Sequence, residues 1–205
     1  MGIVHTGSPR QVGPPKDLIL RLKHQFNIST FVETGTLHGQ TAMWAASCFP
    51  KVFTIEYSRE IYLKTATRLS GIGTIRALYG DSRAELQTIV PSLDSAAVFW
   101  LDSHWSGANT WGKGDECPLL QELAIIRQSR FENFIFIDDA RMFLAPPPEP
   151  HDAEQWPSVQ TVLAELGLVS HETYTVIVDD VIISVPGRAR RALVEYCRAR
   201  SKVAP

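Results

Sequence analysis

Four stretches, residues 52–55 (VFTI), 75–78 (IRAL), 96–101 (AAVFWL) and 134–137 (FIFI), constrain the fold more than any other feature of the chain. They are too short for stable helices, and their rich apolar content suits strands covered on both faces, as a parallel sheet between helical layers requires. Residues 30–33 (TFVE) add an earlier strand, and the segments between the runs have helical periodicity. One helix is expected over residues 17–25. A second is expected to start at Ser82, which with Glu85 forms a capping box, and a third at residue 119, where Pro118 suits the first turn. Strand and helix alternating in this way give a doubly wound, Rossmann-like α/β sheet whose ligands sit beyond the carboxyl ends of the strands. Residues 173–178 and 181–185 break the rhythm. With Asp179-Asp180 between them they read as a β-hairpin closed by a two-residue turn.

The 205 residues, 44% of them apolar, are expected to form one domain, with a Pro/Gly-rich leader at 1–14 and a basic tail at 187–205 on its periphery. Lysine plus arginine (20) nearly balance aspartate plus glutamate (22), so no global field draws the chain to nucleic acid or an anionic membrane, and the tail reads as a solvated helix face. Three cysteines at unrelated spacings give neither a disulfide framework nor a metal site. No run approaches the roughly 20 apolar residues of a membrane span, and the leader lacks a signal-peptide layout. The expected setting is the cytoplasm.

Residues 33–41 (ETGTLHGQT) form a glycine-bearing turn after the first strand, where backbone can approach a ligand closely at Gly35, Thr36 and Gly39. Glu56 ends the second strand, where a carboxylate can accept hydrogen bonds from both ribose hydroxyls of a nucleoside, with Tyr57 beside it. Gly80, Asp81 and Ser82 follow the third strand and can meet an adenine amino group. A dinucleotide fingerprint would carry three glycines around a diphosphate, whereas this turn has two and opens with Glu33. A carboxylate there opposes phosphate and suits the ammonium and sulfonium of S-adenosylmethionine.

On these residues the chain resembles the class I S-adenosylmethionine-dependent methyltransferases over roughly residues 30–185. The E-x-G-x-x-x-G of Glu33 to Gly39, the Glu56 acid, the Gly80-Asp81-Ser82 element and the terminal hairpin fall in family order. The resemblance implies a seven-stranded, mostly parallel sheet with a C-terminal antiparallel hairpin. It also implies donor-binding roles for Glu33, Gly35, Gly39, Glu56, Asp81 and Ser82.

Asp102 ends the fourth strand and Asp138-Asp139 the fifth. Three such carboxylates could converge beside the methyl group, and hard oxygen ligands suit Mg²⁺. This pattern looks like the metal-dependent O-methyltransferases of the catechol and macrolide-sugar types. The catechol enzymes place a lysine shortly after the first aspartate; here Trp105 and Ser106 stand there, which leaves His104 as the candidate base. Loops 103–116 and 141–157 carry Trp105, Trp111 and Trp156, which either close over an acceptor or pack on the sheet edge. The expected activity is methyl transfer to the hydroxyl of a small acceptor such as a sugar, phenol or natural product. The rivals are an NAD(P)-dependent oxidoreductase and a non-catalytic nucleoside-binding protein, and assembly into a homo-oligomer stays open.

Overall fold

The computed structural model describes residues 13–107, 112, 114–169 and 172–201. The first half runs α1 (Lys16–Phe26), β1 (Thr30–Thr34), α2 (Gln40–Ala46), β2 (Lys51–Glu56), α3 (Arg59–Leu69), β3 (Ile75–Tyr79), α4 (Ser82–Ile89) and β4 (Ala97–Leu101). The second continues α5 (Leu119–Ile126), β5 (Phe134–Ile137), α6 (Arg141–Leu144), α7 (Val159–Val169), β6 (Thr173–Val178), β7 (Val181–Pro186) and α8 (Arg190–Ser201). The seven strands form one sheet in the order β3-β2-β1-β4-β5-β7-β6. Strands β3, β2, β1, β4 and β5 are parallel, while β7 runs antiparallel to both β5 and β6. The expected hairpin forms, and both turn residues, Asp179 (φ 51°) and Asp180 (φ 68°), are left-handed, as a tight hairpin turn demands.

Alternation along each strand divides the core in two. Phe31, Val98, Phe134 and Ile183 face α1, α2 and α8, with Leu18, Leu22, Ala42 and Leu193 against them. Val32, Phe99, Ile135 and Ile182 face the other way, onto Leu86 of α4, Leu123 of α5 and Leu166 of α7. Strand β3 departs from the expectation of burial on both faces. It is a sheet edge, and Arg76 and Tyr79 stand out to solvent. The cap of α4 also differs: Asp81 fills the position, accepting the Arg83 N–H at 2.8 Å, and Ser82 is the first helical residue. In the basic tail Arg188, just before α8, pairs with Glu132, and Arg191 on α8 pairs with Glu195, which fits a solvated helix face. No helix among the described residues is long and apolar enough to cross a membrane.

Glu33 follows Phe31 in alternation and so points into the sheet face, not out of the strand end. It is 2% exposed and accepts a 2.5 Å hydrogen bond from Thr54 Oγ1, which lies 2.6 Å from Thr36 Oγ1. Burial pushes its carboxyl up to about 8, with the Thr54 bond working against that rise and the charge of Asp102 adding to it. The sequence reading of a negative charge at the mouth of the turn therefore does not hold for this side chain. Gly35, by contrast, is demanded by packing. With φ +84°, a Cβ there would fall 2.7 Å from the Asp102 carbonyl carbon and closer still to its oxygen.

Gly35→Ala should therefore cost about 2–4 kcal/mol from left-handed strain and overpacking together. Gly71→Ala, where a Cβ meets nothing within 4 Å, should stay close to neutral; urea unfolding of the two variants checks the contrast. Glu33 titrates near 4.5 when unfolded and at about 8 when folded, so the folded state holds the extra proton between those values. Its contribution to stability is complete below the lower value and is lost as pH rises through the upper one. Thermal unfolding across that range should show Glu33→Gln losing less stability than the parent protein, and parallel curves would refute the buried neutral acid.

Candidate functional site

The order β3-β2-β1-β4 places the topological switch between β1 and β4, and a cleft of about 410 Å³ opens there beyond the carboxyl ends of the strands. The first residues past the strands are tied across the sheet. Gly80 N–H donates to Glu56 O (3.0 Å), Gly35 to Ile55 O (3.0 Å), Asp102 to Thr34 O (3.1 Å) and Asp138 to Leu101 O (3.1 Å). The loops thus leave in step, and Gly35, Glu56, Gly80 and Asp102 all line the cleft.

Glu56 is the most firmly placed acid. Its two carboxylate oxygens accept the N–H groups of Leu37 (2.9 Å) and Ser58 (2.8 Å), which fixes it against the turn after β1. Leu37, held left-handed at φ 45°, and Tyr57, 43% exposed, add apolar surface on either side. Asp81 and Ser82 also line the cleft, but Asp81 is engaged twice, as the cap of α4 and as the partner of Arg83 at 2.6 Å. Arg83 holds its carboxyl below the usual aspartate range, with burial opposing that, and reaches on to Asp115 at 2.7 Å. Thr36 and Gly39 are not on the cleft wall. Thr36 is buried against Thr54, and a Cβ at Gly39 would meet Thr65 of α3 at 2.8 Å, so this glycine serves helix packing.

Asp102 and His104, from the end of β4, line the same cleft. Burial pushes Asp102 up to about 7, against the favourable charge of His104. His104 Nε2 lies 2.9 Å from Asp139 Oδ2, while its Nδ1 faces Asp102 Oδ1 at 3.8 Å. Burial disfavours the charged ring, yet the Asp139 bond and the surrounding carboxylates outweigh it and raise its pKa. Asp139 is in turn bound through Oδ1 by Arg141 at 2.5 Å, and Asp138 Oδ1 accepts the Asp139 N–H at 2.8 Å. Burial raises the Asp138 carboxyl to about 6.

The expectation that Asp102, Asp138 and Asp139 make an Mg²⁺ ligand set does not fit this arrangement. Both oxygens of Asp139 are engaged by protein groups, Oδ2 by the His104 ring and Oδ1 by the Arg141 guanidinium, and among the described residues no group of three or more His, Cys, Asp or Glu is disposed to hold a metal ion. Trp105 and Trp156 are buried, not poised over the opening, so of the two alternatives for these rings packing is the one realised; Trp111 lies outside the described residues.

Three residues that the sequence reading passed over complete the surroundings. Glu122 of α5 is buried beneath the cleft, accepts Ser103 Oγ at 2.7 Å, and has its carboxyl raised by burial. Glu116 accepts Trp156 Nε1 at 2.8 Å and His151 Nδ1 at 3.1 Å, clasping loop 103–116 to loop 141–157. Arg141 supplies the charge behind Asp139. For Glu122, a charged residue inside the otherwise apolar run 119–126 was the one available signal; Glu116, in a polar glycine-rich stretch, carried none.

The sequence matches no protein-family model and no curated relative. Its structure is similar to that of an O-methyltransferase from Bacillus cereus in complex with SAH, the demethylated donor, at 18% identity and TM-score 0.57 over 87% of this chain and 84% of that one. An SAH-bound methyltransferase from Podospora anserina aligns with TM-score 0.52 and 14% identity over 82% of this chain and 76% of its own. A Staphylococcus aureus protein assigned as a caffeoyl-CoA O-methyltransferase gives 0.54 at 17% identity, covering 84% and 82%. With its seven strands in this order and the last one reversed, the chain has the class I S-adenosylmethionine-dependent methyltransferase fold.

Proposed function

We propose that the protein transfers the methyl group of S-adenosylmethionine to a hydroxyl of a small acceptor. The observation that carries this reading is the charge of the cleft at the switch point: Glu56, Asp81, Asp102 and Asp115 line it, against Arg83 and His104. A diphosphate would meet a surplus of carboxylates there, whereas a sulfonium and an ammonium are attracted. The reversed β7 also departs from the all-parallel sheet of dinucleotide enzymes, which weighs against the NAD(P) reading.

In this reading Glu56 accepts hydrogen bonds from the ribose hydroxyls, its carboxylate already oriented by Leu37 and Ser58. Tyr57 and Ile61 offer apolar surface to the adenine, and Asp81 with Ser82 offers polar atoms to its edge. The backbone at Gly35 and Leu37 bounds the amino-acid end. Glu33, Thr36 and Gly39 act from behind, by holding the turn. When bound, the donor supplies a methyl carbon on a cationic sulfur, which departs as a neutral thioether under in-line attack by oxygen.

The acceptor hydroxyl lies beside His104 and Asp102, and its proton passes to the His104 imidazole as the oxygen–carbon bond forms. Sugar, phenol and natural-product hydroxyls are the acceptor classes this reading allows. Asp102, partly open to the cleft, orients the hydroxyl and balances the imidazolium. In this reading the proton transfer is carried by the chain's own residues, both oxygens of Asp139 being already engaged by His104 and Arg141.

Titration calorimetry should give micromolar or tighter binding of both S-adenosylmethionine and SAH, and absence of both would remove the proposal. Glu56→Ala should weaken each by roughly 10- to 100-fold, the loss of hydrogen bonds to a charged group. His104→Gln should keep donor binding and abolish turnover on an acceptor found by screening hydroxyl compounds. If the parent protein binds donor yet methylates nothing in such a screen, the non-catalytic reading gains. Prior treatment with a chelator should leave the turnover rate unchanged.

A further inference from the structure

We infer that Asp139 is a positioning residue that fixes His104 with Nδ1 turned to the cleft, and that Arg141 and the hairpin residue Asp180 hold Asp139 in place. This rests on the reading of His104 as the proton acceptor. The ring is almost enclosed, with 8% of its side chain exposed and Trp156 packed 5.3 Å from its centroid. An ionised carboxylate can only accept, so the 2.9 Å contact with Asp139 Oδ2 places a proton on Nε2. In the neutral ring Nδ1 is then the bare nitrogen, and it is the one on the Asp102 side, 3.8 Å from Oδ1. The hydroxyl proton moves to Nδ1, its O–H electron pair goes to the new carbon–oxygen bond, and the other ring proton stays on Nε2, donated to Asp139.

Asp139 is in no position to be there by default. Its φ of 55° is left-handed, which costs a non-glycine residue free energy and persists only where the surroundings over-determine it. They do so here. Asp138 Oδ1 accepts the Asp139 N–H, Met142 N–H bonds back to Asp139 O at 2.8 Å, and Arg141 grips Oδ1.

The same stretch is fastened to the hairpin tip. Asp180 O accepts the Ala140 N–H at 2.8 Å, Asp180 Oδ1 accepts the Arg141 N–H at 2.8 Å, and Oδ2 pairs with the Arg141 guanidinium. A two-residue hairpin turn is best served by asparagine or aspartate followed by glycine. An aspartate at the second turn position strains the backbone where glycine would not. Its side chain has a use that glycine could not serve, holding the arginine that holds Asp139.

Nitrogen-15 histidine spectra of the 205-residue chain, recorded at a pH where the ring is neutral, test this without an acceptor. His104 is assigned by the signal lost in His104→Gln. The expected result is a proton on Nε2, shifted downfield by the Asp139 carboxylate, and an unprotonated Nδ1. In Asp139→Asn, close to the parent in shape, that proton should move upfield and the Nδ1–H form should appear, with Asp139→Glu restoring part of the shift. Asp180→Asn should give a smaller change in the same direction. A parent ring protonated on Nδ1, or a spectrum that Asp139→Asn leaves unaltered, overturns the inference; an unaltered spectrum in Asp180→Asn overturns its hairpin part. Thermal unfolding and SAH binding of each variant show that it is folded. Failure of the parent protein to bind SAH would strike the proposed function instead, since the state of the ring is read independently of any donor.

Discussion

The contact between the backbones of Gly35 and Asp102 sets the geometry of everything at the open end of the sheet. Strands β1 and β4 pair in register to Thr34 and Leu101, and the next residue of each continues past the last rung with no room for a side chain between them. One turn must fall away toward α2 while the other carries Asp102 toward the cleft. Because neighbouring loops donate into Glu56, Ile55, Thr34 and Leu101 in succession, displacement of one strand end is passed to the next. A glycine read from sequence as a place for ligand approach is thus first a place where two strands approach, and the cleft is the consequence.

Charge is the second constraint, because the strand ends concentrate more carboxyl groups than solvent can reach. The chain resolves this in two ways. Glu33 and Glu122, sealed beneath the cleft, have their carboxyls raised by burial, which outweighs the hydroxyl hydrogen bonds that favour the charged form. Asp139 stays ionised, its carboxyl kept below the usual aspartate range by His104 and Arg141 although burial opposes this. The carboxyl groups whose side chains line the cleft are Glu56, Asp81, Asp102 and Asp115; Asp81 and Asp115 share the single charge of Arg83, and burial raises Asp102 to about 7. The electrostatic case for a cationic ligand survives, carried by different residues from the one that first suggested it.

Much of the architecture was legible because its signals are local. Apolar runs of strand length between amphipathic segments have few solutions, and Asp179-Asp180 between two β-rich runs has nearly one. The errors share a cause as well. Residues 75–78 looked buried because three of four are apolar, but Arg76 marked an edge strand. Glu33 looked like the mouth of the turn, although it also ends the run 30–33, where alternation from Phe31 assigns it to the sheet face. Of the residues that line the cleft, the strand-end positions Glu56, Gly80, Asp81 and Asp102 were singled out by position. The partners of Asp139 were not, because whether three aspartates collect a metal or a histidine and an arginine depends on contacts between β4, β5 and the hairpin that no short motif records.

The reversal of β7 bears on the same point. Antiparallel pairing sets Ile137, the last residue of β5, opposite Ile182, one residue into β7. The hairpin tip therefore lies at the carboxyl end of the parallel strands, level with the cleft. A parallel β7 would present its own carboxyl end there and send the preceding turn to the far side of the sheet. Asp180 reaches Ala140 and Arg141 because the strand that follows it runs backward. Seen this way the antiparallel strand does more than close the sheet: it carries a carboxylate from the far end of the sequence to the residues that hold His104, and this joins the C-terminal hairpin to the chemistry of the cleft.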